Sequence, residues 1–410
     1  MSHSLFKLSR EELFFDLYHA YLRARRHKTC SLDQQRFELN LETELTLLTE
    51  ELFHRTYKPR SENCFVIQDP KKREVFAADF RDRVVHHLYY HYTHLLFERT
   101  FIADAYSCIE NRGTHYGIDR LSHHIKGESQ NYRNPCYILK VDIKGYFMHI
   151  NRQRLLTLCL NTLERQRSRC VDSFKPWDAE HDFEFVCYLT KIFVMQNPLA
   201  ACVRRGNQND WKELPPSKSL FFSPSGCGLP IGNLTSQLFS NVYMNVFDQY
   251  CKRVLHCHRY GRYVDDAYVV SSDKQWLKSL VPKMHDFLHR ELSLELHPNK
   301  VRIDSAARGV SFLGTYLKPW RIYVYNDTIR RMKRKIRAIN VDAASPHYLR
   351  SSISSFAGVF AHRKGKWMQE TTLIGANPRL IQKGLFSVDM RHYQLYRSVV
   401  RQWYKSLQNL

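Results

Sequence analysis

Apolar residues in the first part of the chain recur at helical spacing. From Ser9 to about Tyr57, charged residues are interleaved with leucines at positions 13, 17, 22, 41, 45, 48 and 52, a pattern that is typical of amphipathic helices. A short apolar run at 63–67 predicts a strand, and helical spacing returns in the segment that ends near Phe97. The N-terminal region is therefore expected to be mainly helical, with one short strand.

The centre of the chain alternates between strand and helix patterns. A β-rich apolar run at 137–143 carries one acidic residue, Asp142. Helices are expected at 183–194 and from 233 to about 255, the second with an apolar face formed by Leu238, Val242, Val246 and Tyr250. Residues 260–270 predict two strands joined at Asp265 and Asp266, because adjacent aspartates favour a turn between β-branched and aromatic flanks.

The C-terminal part of the chain has a different composition. Residues 329–337 form a basic helical pattern, and only four carboxylates follow Asn326. A separate, basic helical domain is therefore expected here.

The charge balance of the chain limits the kinds of partner that it can be expected to bind. The chain has 62 Lys and Arg against 40 Asp and Glu, a formal net charge of +22, with 21 histidines in addition. Such a surplus excludes an acidic scaffold and makes a polyanion the expected partner. The amino terminus lacks the apolar region of a signal peptide, and no apolar run approaches the roughly 18 residues of a membrane span. Nucleic acid, and no membrane, is therefore the expected partner.

The cysteines indicate a reducing compartment. Eleven are scattered along the chain without a CxxC pair, as expected for reduced thiols in the cytoplasm. Cys251 and Cys257, with His256 and His258, form a group that suggests zinc. A structural zinc site usually takes paired ligands from two clusters, so zinc is not expected here.

The candidate catalytic residues are Asp142, at a strand end, and the pair Asp265 and Asp266. Carboxylates that are brought together repel one another unless divalent cations offset their charge. Hard oxygen ligands suit Mg²⁺, for which Mn²⁺ can substitute, and two such ions can activate an attacking hydroxyl and stabilise a leaving pyrophosphate. This is polymerase chemistry. The alternative is that the adjacent aspartates form an ordinary surface turn.

The blocks around these residues resemble those of reverse transcriptases. Tyr-Val-Asp-Asp at 263–266 resembles the YxDD box, and Val-Asp-Ile-Lys-Gly-Tyr-Phe at 141–147 resembles the strand with the first palm aspartate. The other blocks follow in the family's order: Lys71, Lys72 and Arg73 in the fingers, Asn-Arg-Gly-Thr-His at 111–115, Leu-His-Pro-Asn-Lys at 296–300 and Ser-Phe-Leu-Gly-Thr-Tyr at 311–316. The resemblance covers about residues 63–316 and implies an RNA-directed DNA polymerase.

One block indicates a subfamily. Most bacterial reverse transcriptases carry QGxxxSP, whereas residues 231–237 read Ile-Gly-Asn-Leu-Thr-Ser-Gln. This variant resembles the reverse transcriptases of diversity-generating retroelements, which are bacterial or phage-encoded. The resemblance implies copying of a template repeat RNA into cDNA with frequent errors at template adenines, and replacement of a variable repeat in a target gene. It also implies a small basic accessory protein as a partner.

The resemblance implies roles at the centre of the reaction. Asp142, Asp265 and the more distant Asp266 are expected to bind two metal ions. Lys300 is expected to protonate the departing pyrophosphate, although a lysine after a turn can also be an ordinary surface residue.

The expected nucleotide site comprises Lys71, Arg73, Phe147, Ile231 and Gln237. Arg73, with Lys71 or Lys72, would bind the triphosphate, and Phe147 would exclude a 2′-hydroxyl. A glutamine in place of Ile231 could hydrogen-bond the nucleotide or template, whereas isoleucine offers only shape, so this position is a candidate cause of low fidelity. The alternatives are a solvated basic turn for the cations and a core position for Phe147 and Ile231.

Primer and template are expected to bind two further segments. Phe312, Leu313 and Gly314 resemble the primer grip, although a hairpin core would look the same. The basic helix would follow phosphates, in a salt-sensitive and sequence-blind way, through Arg330, Arg331, Lys333 and Arg334. A solvated helix face is the alternative.

The implied fold is α+β, a right-hand polymerase with fingers, an antiparallel-sheet palm flanked by helices, and a helical thumb. The expected domains are N-terminal helices and fingers with parts of the palm at 1–135, the palm at 136–325 with an elaboration at about 165–226, and the thumb at 326–410. No nuclease domain is expected. The alternative functions are another bacterial reverse transcriptase, of the retron or phage-defence type, and a catalytically dormant RNA-binding scaffold.

Overall fold

The computed structural model describes residues 9–26, 31–68, 71–170, 183–200, 202–361, 372, 375–387 and 392–408. The chain forms two compact units: unit 1 comprises residues 1–113, 139–269 and 275–302, and unit 2 comprises residues 114–138, 270–274 and 303–410. Residues 171–182 of the expected elaboration lie outside the described residues.

The helices follow the apolar spacing of the sequence. In the described residues they are α1 (Arg10–Arg25), α2 (Leu32–Leu39), α3 (Leu41–Phe53), α4 (Phe80–Glu98), α5 (Thr114–Glu128), α6 (Tyr146–His149), α7 (Arg152–Cys170), α8 (Phe183–Met195), α9 (Gln208–Lys212), α10 (Leu234–Gln249), α11 (Lys274–Leu292), α12 (Asn326–Ala338), α13 (Pro346–Ala361), α14 (Arg379–Lys383) and α15 (Arg397–Gln408). A capping box begins α1, because the Ser9 hydroxyl accepts from the Glu12 amide and the Glu12 carboxylate accepts from the Ser9 amide.

The described strands form four sheets. They are β1 (Asn63–Ile67), β2 (Arg73–Ala77), β3 (Tyr137–Asp142), β4 (Val203–Arg204), β5 (Tyr260–Tyr263), β6 (Asp266–Ser271), β7 (Arg302–Ser305), β8 (Val310–Phe312), β9 (Thr315–Lys318), β10 (Arg321–Val324), β11 (Gly384–Phe386) and β12 (Tyr393–Leu395). The strand orders are β2-β1-β4, β5-β6-β3-β7, β10-β9-β8 and β11-β12. The predicted aspartates all belong to the second of these sheets or its turn.

Each unit has its own apolar core. In unit 1, α4 packs against α1 and α10, and α7 packs against α8 and α10. In unit 2, the buried side of α12, formed by Met332 and Ile336, joins a cluster with α13 and the β11–β12 hairpin. Burial of these apolar faces is the main stabilising contribution to both units.

The turn between β5 and β6 differs from the prediction that Asp265 and Asp266 join the two strands. The strands are antiparallel, and Tyr263 pairs with Asp266, so the turn residues are Val264 and Asp265. Asp266 is the first residue of β6. Contacts to the backbone of Val264, described below, fix this register against the local turn preference of two adjacent aspartates.

The C-terminal region is less purely helical than its sequence predicted. The basic helix forms as expected, but Gly384–Phe386 and Tyr393–Leu395 pair as antiparallel strands. Strands of three residues are too short to produce a recognisable apolar alternation, so pattern analysis missed them.

Candidate active site

Three carboxylates lie close together in unit 1. Asp142 ends β3, Asp265 lies in the β5–β6 turn, and Asp266 begins β6, the neighbour of β3 in the sheet. Burial, followed by the charges of Asp142 and Asp266, raises the pKa of Asp265 to about 6. Burial also raises the pKa of Asp266, and Asp142 acts in the same direction. Carboxylates that oppose each other's ionisation in this way are near neighbours.

Lysines balance part of this negative charge. The Lys300 ammonium donates to both carboxylate oxygens of Asp142, each at 2.8 Å. Lys140, Lys300 and Lys71 lower the pKa of Asp266 against the larger effect of burial. Because the Lys300 side chain is 47% exposed while that of Asp142 is 14% exposed, the lysine has room to leave the carboxylate when another cation arrives.

The turn that carries Asp265 has an unusual backbone. Val264 has a φ of +57°, a left-handed conformation that is rare for a β-branched residue. Its amide donates to the Ser107 hydroxyl at 3.1 Å, and its carbonyl accepts from the Arg262 guanidinium at 2.8 Å. The turn is therefore held from both sides, and backbone strain that a protein holds in this way is concentrated at functional sites.

A buried polar network supports this turn. Arg262 is 1% exposed, and its guanidinium donates two hydrogen bonds to Asp248, at 2.8 and 2.7 Å. Asp248 also accepts from the Tyr260 hydroxyl at 2.6 Å. Asn241 accepts from Arg262 at 3.3 Å and donates to the Ser107 carbonyl at 2.7 Å. The sequence analysis did not predict this network. The signal that was available is a charged residue at each of two positions where an apolar one would be expected, Asp248 in α10 and Arg262 in β5.

Two predicted nucleotide-site residues contact one hydrophobic cluster. Phe147 and Ile231 are both partly buried and pack against Cys64, Phe76, Met148 and Leu220. The Ile231 carbonyl accepts from the Phe76 amide at 2.7 Å. Gly232 has a φ of +133°, and a Cβ there would overlap the Phe76 carbonyl, so only glycine fits. Gln237, at the end of this block, is exposed on α10.

The predicted triphosphate-binding cations lie at the start of β2. Lys71 is exposed and is electrostatically coupled to Asp266. Arg73, the first residue of β2, is also exposed. Lys72 forms an ion pair with Glu213 at 2.8 Å, whereas Lys71 acts electrostatically on Asp266.

The predicted primer-grip residues lie in unit 2. Phe312 is 1% exposed, in β8, and is paired with Thr315. Leu313 and Gly314 form the turn between these two residues, with φ values of +46° and +77°. Two left-handed residues are what a two-residue hairpin turn of type I′ requires. Because Phe312 is buried, it is a core residue, and the part of this segment that a primer could contact is the turn at Leu313 and Gly314.

The predicted template-binding helix, α12, is amphipathic. Ile329, Met332 and Ile336 face the core of unit 2. Its remaining surface is basic and includes the exposed Arg330 and Arg334 and the half-buried Arg331 and Lys333. Arg330 also forms an ion pair with Asp327 at 3.4 Å.

Grouped carboxylates, a lysine bonded to one of them and a strongly basic chain are features of enzymes that transfer nucleotidyl groups through divalent cations. A family model described as reverse transcriptase (RNA-dependent DNA polymerase) matches residues 78–317. The chain therefore belongs to the reverse transcriptase family. The matched domain is that of an RNA-directed DNA polymerase, a nucleotidyltransferase, and the α+β fold class predicted from the sequence is confirmed.

Other comparisons give distant similarities. No curated protein matches the chain. Among solved structures, it is similar to apo telomerase from Candida tropicalis, with a TM-score of 0.46 and 10% identity over 89% of this chain and 74% of that one. A form of that telomerase truncated from its C-terminal domain gives a TM-score of 0.45 and 11% identity over 65% of this chain and 56% of that one. Telomerase from Candida albicans with a fragment of telomeric RNA gives a TM-score of 0.44 and 11% identity over 79% of this chain and 61% of that one. The chain thus spans less than two thirds of the latter two structures.

The donor set at the aspartates fits a divalent cation. Enzymes of this family generally use ions such as Mg²⁺. Within the described ranges, no group of three or more His, Cys, Asp or Glu side chains is assembled as a metal site. The carboxylates of Asp142 and Asp265 nevertheless supply only hard oxygen donors, and burial and mutual repulsion oppose the charge on Asp265. A divalent ion relieves both effects.

The cysteine pair that suggested zinc lies in the core. Cys251 and Cys257 are both buried, and burial raises the pKa of both thiols, as expected for core residues. None of the helices in the described part of the chain is both long enough and apolar enough to span a membrane.

Proposed function

We propose that this chain synthesises DNA on an RNA template and that it is the polymerase of a diversity-generating retroelement. The observation that carries the polymerase activity is the group of partly buried, mutually repelling carboxylates, Asp142, Asp265 and Asp266, inside the matched domain. The subfamily is supported by the block at 231–237, which resembles the variant found in those enzymes. Copying of a template repeat RNA with errors at adenines, and a small basic accessory protein, are part of the proposal.

Five polar residues of the site take part in the proposed mechanism. Asp142 and Asp265 would hold two Mg²⁺ ions, which when bound activate the 3′-hydroxyl of the primer and stabilise the leaving pyrophosphate. Lys71 and Arg73 bind the triphosphate through charge-assisted hydrogen bonds. As the 3′-oxygen bonds to the α-phosphorus and the bond to pyrophosphate breaks, Lys300 donates a proton to the leaving oxygen.

Contacts to the primer and template are assigned to unit 2. The basic side of α12 supplies cations for backbone phosphates, through Arg330, Arg331, Lys333 and Arg334. The β8–β9 turn at Leu313 and Gly314 contacts the primer. Such phosphate contacts are independent of base sequence, as a polymerase requires.

Phe147→Ala should admit ribonucleotides. Removal of the aromatic ring opens space for a 2′-hydroxyl, and we expect the preference for dNTPs over rNTPs to fall by about tenfold to a hundredfold, the range that shape selection in an apolar pocket provides. Single-nucleotide incorporation of matched dNTP and rNTP pairs measures this. Because Phe147 is also packed, thermal unfolding of Phe147→Ala and Phe147→Leu must show folded proteins; a folded Ala variant with unchanged preference would leave Phe147 as a core residue only.

Ile231→Gln should reduce errors at template adenines. The glutamine restores a polar group that can hydrogen-bond the nucleotide or template, so mispaired substrates leave it without a partner, at a cost of about 1–3 kcal/mol. The expected result is a fall in adenine misincorporation of about tenfold. Sequencing of cDNA made from a defined RNA template with a DNA primer, dNTPs and Mg²⁺ measures it.

The same assay tests the proposed function as a whole. Ile231→Val is the matched control, since it keeps an apolar side chain and should keep the adenine errors. Synthesis with uniform fidelity in the unmodified chain would favour another bacterial reverse transcriptase, and no synthesis at all would favour a dormant RNA-binding scaffold. Unchanged errors in Ile231→Gln would show that fidelity is set elsewhere.

A further inference from the structure

An exposed tryptophan occupies the tip of a hairpin in unit 2. Lys318 and Arg321 pair across β9 and β10, so Pro319 and Trp320 form the two-residue turn. Trp320 is 69% exposed and has a φ of +65°. Proline followed by a left-handed residue is the pattern of a type II turn, in which the second position is normally glycine or asparagine. A tryptophan here costs stability and buries little apolar surface, so packing of unit 2 does not account for it.

Trp320 is held in place by a second aromatic residue. The rings of Trp320 and Tyr132 meet edge to face, with centroids 5.0 Å apart. Tyr132 is itself left-handed, with a φ of +64°, and its amide donates to the Ser129 hydroxyl at 2.8 Å. The loop after α5 and the β9–β10 hairpin therefore present a fixed pair of rings.

The turn is flanked by positive charge. Lys318 and Arg321 are exposed and stand directly opposite each other in the ladder, an arrangement that is destabilising for like charges. Arg133, next to Tyr132, is also exposed. An anion between these cations would relieve their repulsion.

We propose that Tyr132 and Trp320, with Lys318 and Arg321, form a docking surface for single-stranded RNA. Aromatic faces stack on bases of any sequence, and neighbouring cations bind the phosphates between them. The strained Trp320 and the like-charged pair both lower the stability of unit 2 and both favour this ligand, and the excess of Lys and Arg matches it in charge. The inference rests on the proposed function only in taking RNA as the nucleic acid, and the surface is distinct from α12 and the β8–β9 turn.

Binding of a labelled single-stranded RNA to the full chain tests the proposal. The probe is a fluorescein-labelled oligonucleotide of about 12 nucleotides, within the range of known single-strand sites. It is titrated by anisotropy without dNTPs, in the presence of saturating unlabelled RNA–DNA duplex, which occupies the primer–template contacts. Trp320→Gly removes the stacking ring and also relieves the left-handed strain. We therefore expect binding to weaken about fivefold to a hundredfold, while the thermal unfolding temperature is unchanged or higher.

Matched variants separate stacking from general effects. Trp320→Phe should retain most of the binding, and Lys318→Ser with Arg321→Ser should reduce the salt dependence by roughly 0.7 in the log–log slope for each phosphate that is no longer neutralised. Phe15→Ala is the control, because Phe15 is 61% exposed on α1 beside Asp16, and it should bind as the unmodified chain does. Equal binding by Trp320→Gly, or an equal loss in Phe15→Ala, would overturn the proposal.

The readout is independent of polymerisation. The slow variant Asp265→Asn should bind the probe with unchanged affinity, and the additional change Trp320→Gly should weaken that binding about fivefold to a hundredfold. A chain that binds through Trp320 but makes no DNA would contradict the proposed function alone, whereas an active enzyme insensitive to Trp320→Gly would contradict this inference alone.

Discussion

Asp265→Asn should reduce DNA synthesis by at least about a hundredfold and make the metal-free chain more resistant to heat. The loss is expected because an amide supplies no charged oxygen to a divalent ion, which contributes several kcal/mol to the transition state, where each 1.4 kcal/mol is a factor of ten in rate. The higher thermal stability is expected because burial and the charges of Asp142 and Asp266 oppose ionisation of Asp265. A neutral side chain of the same shape removes that repulsion. Primer extension with Mg²⁺ and thermal unfolding in EDTA measure the two effects.

The opposite signs of these effects make the prediction specific. A substitution that damaged the fold would lower both activity and stability. Asp286→Asn is a suitable control, because Asp286 is 77% exposed on α11 and should change neither quantity. Retention of near-normal synthesis by Asp265→Asn would show that the carboxylate is not a metal ligand, and the proposed mechanism would be wrong.

Arg262→Met should destabilise the fold by about 3–5 kcal/mol, the usual effect of removing one partner of a buried ion pair. Asp248 is fully buried and would lose both guanidinium hydrogen bonds. Its remaining donor, the Tyr260 hydroxyl, cannot compensate a full charge. Thermal or denaturant unfolding measures the loss.

The double variant Arg262→Met with Asp248→Leu separates stability from activity. Replacing both members of a buried pair with apolar residues is often neutral or stabilising, so we expect most of the stability to return. We do not expect DNA synthesis to return. The Val264 carbonyl still lacks its donor, and a displacement of about 1 Å at a reacting group can cost about a hundredfold in rate. The loss should be in kcat more than in KM for dNTP, and full activity of the double variant would show that the turn is held without Arg262.

Local patterns predicted the framework of the fold because they report burial along one element at a time. The apolar spacing before Phe97 predicts helices that the structure contains, and the run at 137–143 predicts β3. The predicted position of the β5–β6 turn was wrong by one residue, because the register depends on contacts of Val264 with Ser107 and Arg262. Ser107 is distant from the turn in sequence, and the preference of adjacent aspartates for a turn does not include a contact from Arg262. Local preference carries no information about such contacts.

The prediction of the candidate site was incomplete because contacts between different elements are not visible in local patterns. The family motifs singled out the aspartates and Lys300 as candidates, and their roles stay predictions, whereas no motif pointed to the network behind them. The apolar face of α10 was predicted to continue through Val246 and Tyr250, whereas the structure buries Phe247 and Asp248 at that end of the helix and leaves Val246 and Tyr250 half-exposed. A charged residue enters a core only with a partner, and the partner of Asp248 comes from a strand.

Gly232 and its neighbour have a consequence for how this polymerase can evolve. Position 231 is tied to β2 through its main-chain carbonyl, and the close approach of Gly232 to Phe76 fixes the same backbone. The side chain at 231 takes part in neither attachment, although it packs against the cluster that includes Phe76, so selection can exchange it for one of similar size while the main chain stays in place. If its identity governs copying accuracy, a lineage can move between faithful and mutagenic synthesis by a single codon change, without rebuilding the scaffold.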